Sequence, residues 1–355
     1  YRRQRQMCIR DRSGTPAFTG TFDGNNKYLS GIYVNGGDPD MNQGLFAKLG
    51  DGATVRNLKI ESSWFRGGAS VGALAGSQSG SSTISNVTVS AHVIATATTG
   101  AGAGSQAATG GFIGSATGTP TLSNVRFVGE VTNTAAGGWG VGGMIGTAVS
   151  ATISGATGWA TVTGGSGGST GGLLGGVTGS YDISGVDLQA TVTGAGLGTG
   201  GILGSQGNAV TAASMHDVAG NVTVVSSGGG YVGGIAGWVQ ASGTNTLSYQ
   251  DITAKGSVHN TSPSSTAVGT GGIIGQATLG TGSGAVTIQR LTTTTMAVTS
   301  DSSANVGGVV GGLTSGHTSA PTLAGLTATS GTTVSGTSVV GGIVGNLQQS
   351  FANVN

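Results

Sequence analysis

Charge is scarce in this chain. Only 7% of its 355 residues are Asp, Glu, Lys or Arg, and the formal net charge is +1. Aromatic residues make up 5%, and there are five prolines and one cysteine, Cys8. A lone cysteine builds no disulfide framework and no Cys-based zinc site. From Gly67 to Asn355 the charged residues are Arg126, Lys255, Arg290, Glu130, Asp182, Asp187, Asp217, Asp251 and Asp301. So sparse a set is no electrostatic footprint for nucleic acid, and none is expected as a partner. No apolar run approaches the roughly 18 residues of a membrane-spanning helix, so this segment is not expected to insert in a membrane.

Glycine, by contrast, accounts for 74 residues, roughly three times its ordinary usage. With five prolines and no Gly-X-Y period, collagen is excluded. The hydrophobic share is 36% and the mean hydropathy +0.16, unlike a disordered tail. Such a chain can bury a core, yet this much glycine argues against a helix-rich enzyme.

Residues 1–13, YRRQRQMCIRDRS, stand apart. They contain Cys8 and five of the thirteen basic residues, namely Arg2, Arg3, Arg5, Arg10 and Arg12. A basic arm of this kind reads either as a tether or as foreign sequence. MCIRDR resembles translated sequencing adaptor, so 1–13 is expected to be a non-native segment. No apolar stretch follows the arginines, so it is not a signal peptide.

A repeat dominates the remainder. The pentapeptide Gly-Gly-apolar-apolar-Gly occurs as GGFIG (110–114), GGMIG (142–146), GGLLG (171–175), GGILG (200–204), GGIAG (233–237), GGIIG (271–275), GGVVG (307–311) and GGIVG (341–345), with GALAG at 72–76. The closing glycines follow one another at 38, 32, 29, 29, 33, 38, 36 and 34 residues. After each pentapeptide comes a short run such as TISNV (83–87), TLSNV (121–125), TISGA (152–156) or DISGV (182–186). An alternating stretch follows, as in ATVTG at 160–164 and 190–194 or NVTVVS at 221–226. Period-two alternation marks a half-buried strand, with Val162 and Val192 inward and Thr161, Thr163, Thr191 and Thr193 outward.

The pattern predicts an all-β parallel β-solenoid of about ten coils with three short strands per coil. One coil cannot bury its apolar residues alone, so equivalent positions must stack. Phe112, Met144, Leu173, Ile202, Ile235, Ile273, Val309 and Ile343 form one such expected ladder. Asn86, Asn124, Gly155, Gly185, Asp217 and Asp251 occupy a column where a turn needs a left-handed residue. From the closing glycine to the apolar end of the next strand the spacing is 11, 11, 10 and 11 in the first four units. It becomes 14, 15, 16 and 15 afterwards, ending at Val218, Ile252, Leu291 and Leu326. Together with the loops at 96–109 and 261–270, these insertions predict variable edges suited to contacts.

VGGLLG, the ISNV-like segment and the ATVTG-like strand together resemble the GLUG repeat of bacterial surface proteins. FTGTFDGNNKYLSGIYV (18–34), GLFAKLG (44–50) and ATVRNLKI (53–60) are similar to the lead-in coils that precede such repeats. The resemblance divides the chain into lead-in coils at 14–70 and GLUG-like repeats at 71–355. SFANV (350–354) looks like the start of a further coil, so truncation at the C-terminus is expected. The family likeness implies a right-handed parallel β-helix (β-solenoid) and a secreted or cell-surface protein, adhesin-like, with a host, neighbouring-cell or glycan ligand. It carries over no catalytic residue, metal or cofactor, and no enzyme activity is expected.

Asp182 with Asp187, and Asp217 with Asp251, are the nearest approach to the carboxylate pair that glycoside hydrolysis needs, but all four read as turn residues. Asp38 and Asp40 in GGDPD suit a turn more than a calcium ion. His92, His216, His259 and His317 fall in different coils without ligand spacing. The glycine strings contain GxGxxG-like matches, but no crossover helix follows them. A Thr-rich face formed by Thr161/Thr163 above Thr191/Thr193 suits ice or a crystalline polysaccharide. Val222/Val224 and Ser257/His259 are expected at the next comparable places, which breaks the array. The preferred expectation is adhesion, with a passive stalk as the alternative.

Overall fold

The structure is a computed structural model describing residues 16–348 apart from 37–41, 69, 97–107, 134–137, 208, 263–268, 303 and 318–320. Segment 1–13, Asp38, Asp40 and SFANV therefore lie outside the described residues, as do most of the 96–109 and 261–270 loops. The described residues form strands and no helix. They wind into a parallel β-solenoid whose coils stack in three sheets. The first sheet passes through ten coils from Thr21–Ser30 to Thr322–Ala324. The second has nine strands between Val71–Gly72 and Val339–Gly341, and the third has ten between Phe46–Leu49 and Val344–Gln348. Adjacent strands pair in parallel in each sheet. About nine turns at the spacing of paired strands give a rod roughly 43 Å long. Residues 16–70 share these sheets: Thr21–Ser30 pairs with Ala53–Gly67, which pairs with Ser81–Ala95.

Most coils have three strands, but they are not cut where the motifs suggest; in one coil the first strand is broken at Gly155 into Ala151–Ser154 and Thr157–Gly164. In the coil before it the three are Thr119–Asn133, Gly140–Gly142 and Ile145–Ala148. The ISNV-like and ATVTG-like segments join into one long strand bent at a left-handed residue. That residue is Asn86, Asn124, Gly155, Gly185, Asp217 or Asp251, all with φ between 50° and 64°. Asn57, Arg290 and Gly325 continue the column with φ of 53°, 53° and 62°. Asn, Asp and Gly tolerate this conformation at low cost, which explains most of the column.

The pentapeptide is a corner. Its first glycine ends a second-sheet strand and its second apolar residue begins a third-sheet strand, as at Gly110 and Ile113. At this bend both apolar side chains turn inward. Phe112, Met144, Leu173, Ile202, Ile235, Ile273 and Val309 are fully buried, while Ile343 in the last coil is 36% exposed. Backbone hydrogen bonds connect the corners: Met144 N–H donates to Leu173 O at 2.9 Å, and Leu173 N–H to Ile202 O at 3.0 Å. Burying each such side chain stabilises the fold by about 1.5–3 kcal/mol.

The second glycine is required by the next coil. A Cβ on Gly172 would strike the carbonyl oxygen of Gly201, and a Cβ on Gly201 that of Gly234. At Gly342, in the last described coil, a Cβ would meet nothing within 4 Å among the described residues.

The interior also holds a polar seam. Asn133 Nδ2 donates to Thr109 Oγ1 at 3.1 Å, Thr199 Oγ1 to Ser226 Oγ at 3.3 Å, and Asn260 Nδ2 to Thr270 Oγ1 at 3.2 Å. These are buried groups satisfying one another across the corner between the first and second sheets. Part of the longer spacing in the later units is taken up by the third sheet, whose strands lengthen from Leu203–Gln206 to Ala236–Gly243 and Ile274–Gly282.

Candidate functional site

The outer face of the first sheet carries the most varied chemistry of the described surface. Register alone assembles one column across eight coils: Tyr33, Trp64, His92, Glu130, Thr161, Thr191, Thr223 and Ser257. Parallel pairing places successive members roughly 4.8 Å apart. The rings of Tyr33 and Trp64 stack at 4.8 Å between centroids and 7° between planes. His92 Nδ1 lies 3.1 Å from Glu130 Oε2. Beyond them the column becomes hydroxyl-bearing.

A second hydroxyl column runs beside it, Thr132, Thr163 and Thr193. The Thr array is therefore longer than expected. Val222 and Val224 are not its next members: both are buried in the core. Thr223 and Val225 take the outward places, opposite Thr191 and Thr193. Ser257 and His259 follow them as expected. The array is thus interrupted at Val225 in one column only. Val162 and Val192 point inward, fully buried.

Between Trp159 and His92 the face is indented by a shallow groove of about 300 Å³. Its floor includes Ser62, Ser90, Ala91 and Gly129. Three local features produce it. Gly129 has φ 155°, and a Cβ there would collide with the carbonyl oxygen of Ala91. The preceding coil contributes only Ala91 at that position. One coil further, the strand carries a bulge between Ile60 and Ser63, with Ser62 at φ 47°. Trp159, 38% exposed, forms one wall.

Two of the weighed carboxylates meet one histidine: His216 lies 3.8 Å from Asp182 Oδ1 and 2.9 Å from Asp217 Oδ2. Asp217 and Asp251 hold left-handed bends at φ 53° and 54°. Asp182 and Asp187 lie on either side of the bend at Gly185, and Asp187 faces Ala219 and Thr157 on the adjacent coils. Arg290 donates to both Asp251 oxygens, Nε to Oδ1 at 2.6 Å and Nη2 to Oδ2 at 2.8 Å. That hydrogen bonding, more than charge attraction, holds the Asp251 carboxyl below its ordinary range. In the first coils, Asp23 is lowered mainly by the backbone N–H of Asn25 and the Asn57 amide, with Arg56 adding to them.

Three of the four histidines have acidic neighbours: His92 with Glu130, His216 with Asp217 at 2.9 Å, and His259 with Asp301 at 3.0 Å. His317 is half-buried near the end of the third-sheet strand Val310–Ser315. No three His, Cys, Asp or Glu residues are grouped to hold a metal among the described residues.

The aromatic residues of this face have no motif of their own in the sequence, since Tyr33, Trp64 and Trp159 lie in different coils. Only the register brings them to one face. Comparison with protein-family models, with curated proteins and with solved structures gave no match.

Proposed function

We propose that this chain is a non-catalytic extracellular repeat region of a bacterial surface protein, using its solenoid as a contact surface for host, neighbouring-cell or glycan ligands. The observation that carries the reading is the in-register outer column from Tyr33 to Ser257, a continuous face of rings and hydroxyls along the rod. The GLUG-like repeats support an exported, adhesin-like role. The carboxylates weighed for hydrolysis support a non-catalytic one, because two of them shape bends and Asp251 is paired to Arg290. A passive stalk is the second reading, favoured by strand pairing that runs from each coil to the next, which lets a solenoid lengthen without limit.

The test is saturable binding of the purified chain to immobilised matrix proteins, glycans and whole bacterial cells. Binding to any of them supports the contact-surface role. Folded protein that binds none of these surfaces is a stalk.

A further inference from the structure

We infer that the groove between Trp159 and His92 is a binding site for a neutral oligosaccharide segment. The inference rests on the contact-surface reading and gives it a place and a ligand class.

The groove joins the two kinds of group that a sugar ring requires. Trp159 offers an exposed ring face, and large amphipathic rings gain from apolar contact while leaving polar groups wet. A pyranose presents C–H bonds on its faces and hydroxyls around its rim, so it can lie against such a ring and still hydrogen-bond sideways. The hydroxyls of Ser62 and Ser90 and the His92 ring border the same space, and Glu130 Oε2 lies 3.1 Å from His92 Nδ1. Each is a donor or acceptor suited to a sugar hydroxyl.

The shape agrees with this chemistry. At about 300 Å³ the groove lies at the lower end of small-molecule sites. Its lining comes from four successive coils, so it extends along the rod. Towards the N-terminal coils the same face carries the stacked Tyr33–Trp64 rings, and towards the C-terminal coils Thr161 and Thr191.

Charge selects neutral over ionic saccharides. Glu130, 3.1 Å from His92, stands beside the groove, whose lining has no Lys or Arg to meet an anionic ligand. A uronic-acid polymer would bring carboxylates towards Glu130. A neutral chain meets no such repulsion.

The groove also has a local structural cause that ordinary coil stacking does not require. Gly129, which has no side chain, and the bulge at Ser62 interrupt the regular outward alternation at this spot. Non-Gly residues with positive φ are uncommon, and here one lines the indentation.

The test titrates the full chain with cellohexaose, mannohexaose and laminarihexaose, using hexagalacturonate as the charged comparator. Tryptophan fluorescence and calorimetry report binding. The expected result is saturable binding of at least one neutral hexasaccharide, with weaker or no binding of hexagalacturonate. Trp159→Ala should weaken that binding roughly tenfold or more, as loss of an aromatic contact implies. Trp139→Ala should leave it unchanged, because that ring, 54% exposed, is not part of the groove. Should Trp159→Ala fail to fold, Ser90→Tyr keeps Trp159 and fills the groove from its floor, and must also abolish binding. The inference is overturned if no neutral hexasaccharide binds the folded chain, if both groove variants bind like the parent, or if hexagalacturonate binds more tightly. If the folded Trp159→Ala chain binds whole cells as the parent does while neither binds a hexasaccharide, this site is refuted and the contact-surface reading stands. Loss of all surface binding by the parent refutes both.

Discussion

The phenol oxygens of Tyr181 and Tyr249 lie 2.6 Å apart inside the solenoid, although 68 residues separate them in the chain. Tyr181 stands in register with Ala213, whose short side chain separates it from Leu247 one coil further on. Tyr181 also donates to Gln206 Oε1 at 2.7 Å, so Tyr249 must be the donor to Tyr181. Gln206 in turn bonds the Gln240 carbonyl. A chain of buried donors and acceptors thus couples three coils, each group satisfying the next.

This pair predicts alkaline sensitivity. Burial pushes both phenols well above their ordinary value near 10. A group with a raised folded pKa contributes stability that is complete below the unfolded value and lost as pH rises above it. Stability should therefore be flat through neutral pH and fall beyond about pH 10. Ultraviolet titration should show two of the six tyrosines silent until the chain unfolds. Simple titration of all six in folded protein would contradict the buried pair.

Truncating the same network should be costly. Tyr181→Phe removes the donor to Gln206 and the acceptor for Tyr249 while keeping the ring. An unsatisfied buried polar group costs about 1–3 kcal/mol, to be measured by urea unfolding.

The apolar ladder gives a graded prediction. Leu173→Ala removes a fully buried side chain and should cost about 2–5 kcal/mol. Ile343→Ala, at the exposed end of the same ladder, should cost clearly less. Leu173→Asp places an unpaired charge in the core, and circular dichroism should show loss of the β-rich fold.

The two ends of the glycine column provide a sharper contrast. Gly172→Ala sets a Cβ against the Gly201 carbonyl and should destabilise markedly, whereas Gly342→Ala meets open space and should lie within about 0.5 kcal/mol of the parent. Equal effects at both positions would mean that the glycines serve local conformation and not the approach of the next coil.

Acid titration tests the outer face. Asp251 should titrate below the ordinary carboxylate range, and Arg290→Gln should raise it towards that range, as followed by carboxyl NMR shifts. Because the folded pKa is lowered, the stabilisation is present above the ordinary carboxylate value and lost as pH falls through the folded one.

The stacking was legible in the sequence because identical chemistry recurs at each turn. Glycine pairs, an apolar pair and an Asn, Asp or Gly at the bend identify corner, core and left-handed column. Arg290 escaped notice because arginine has no particular liking for φ 53°. The outward face was harder to read. Equating Thr161 and Thr163 with Val222 and Val224 is a one-residue slip, and in a strand such a slip exchanges core and surface. Neighbours across coils, such as His92 with Glu130 or Trp159 with Ser90, depend on corner lengths that vary from turn to turn. No fixed sequence offset reveals them.

The corner hydrogen bonds from Phe112 to Met144, Leu173 and Ile202 pass from each coil to the next, so they point along the rod. A pull between the two ends of the molecule therefore loads these bonds in tension and a few at a time, as in opening a zip. Under force the solenoid would yield as a series of small, similar steps, each releasing one coil of slack. A tether built this way lengthens under load while its remaining coils keep their shape.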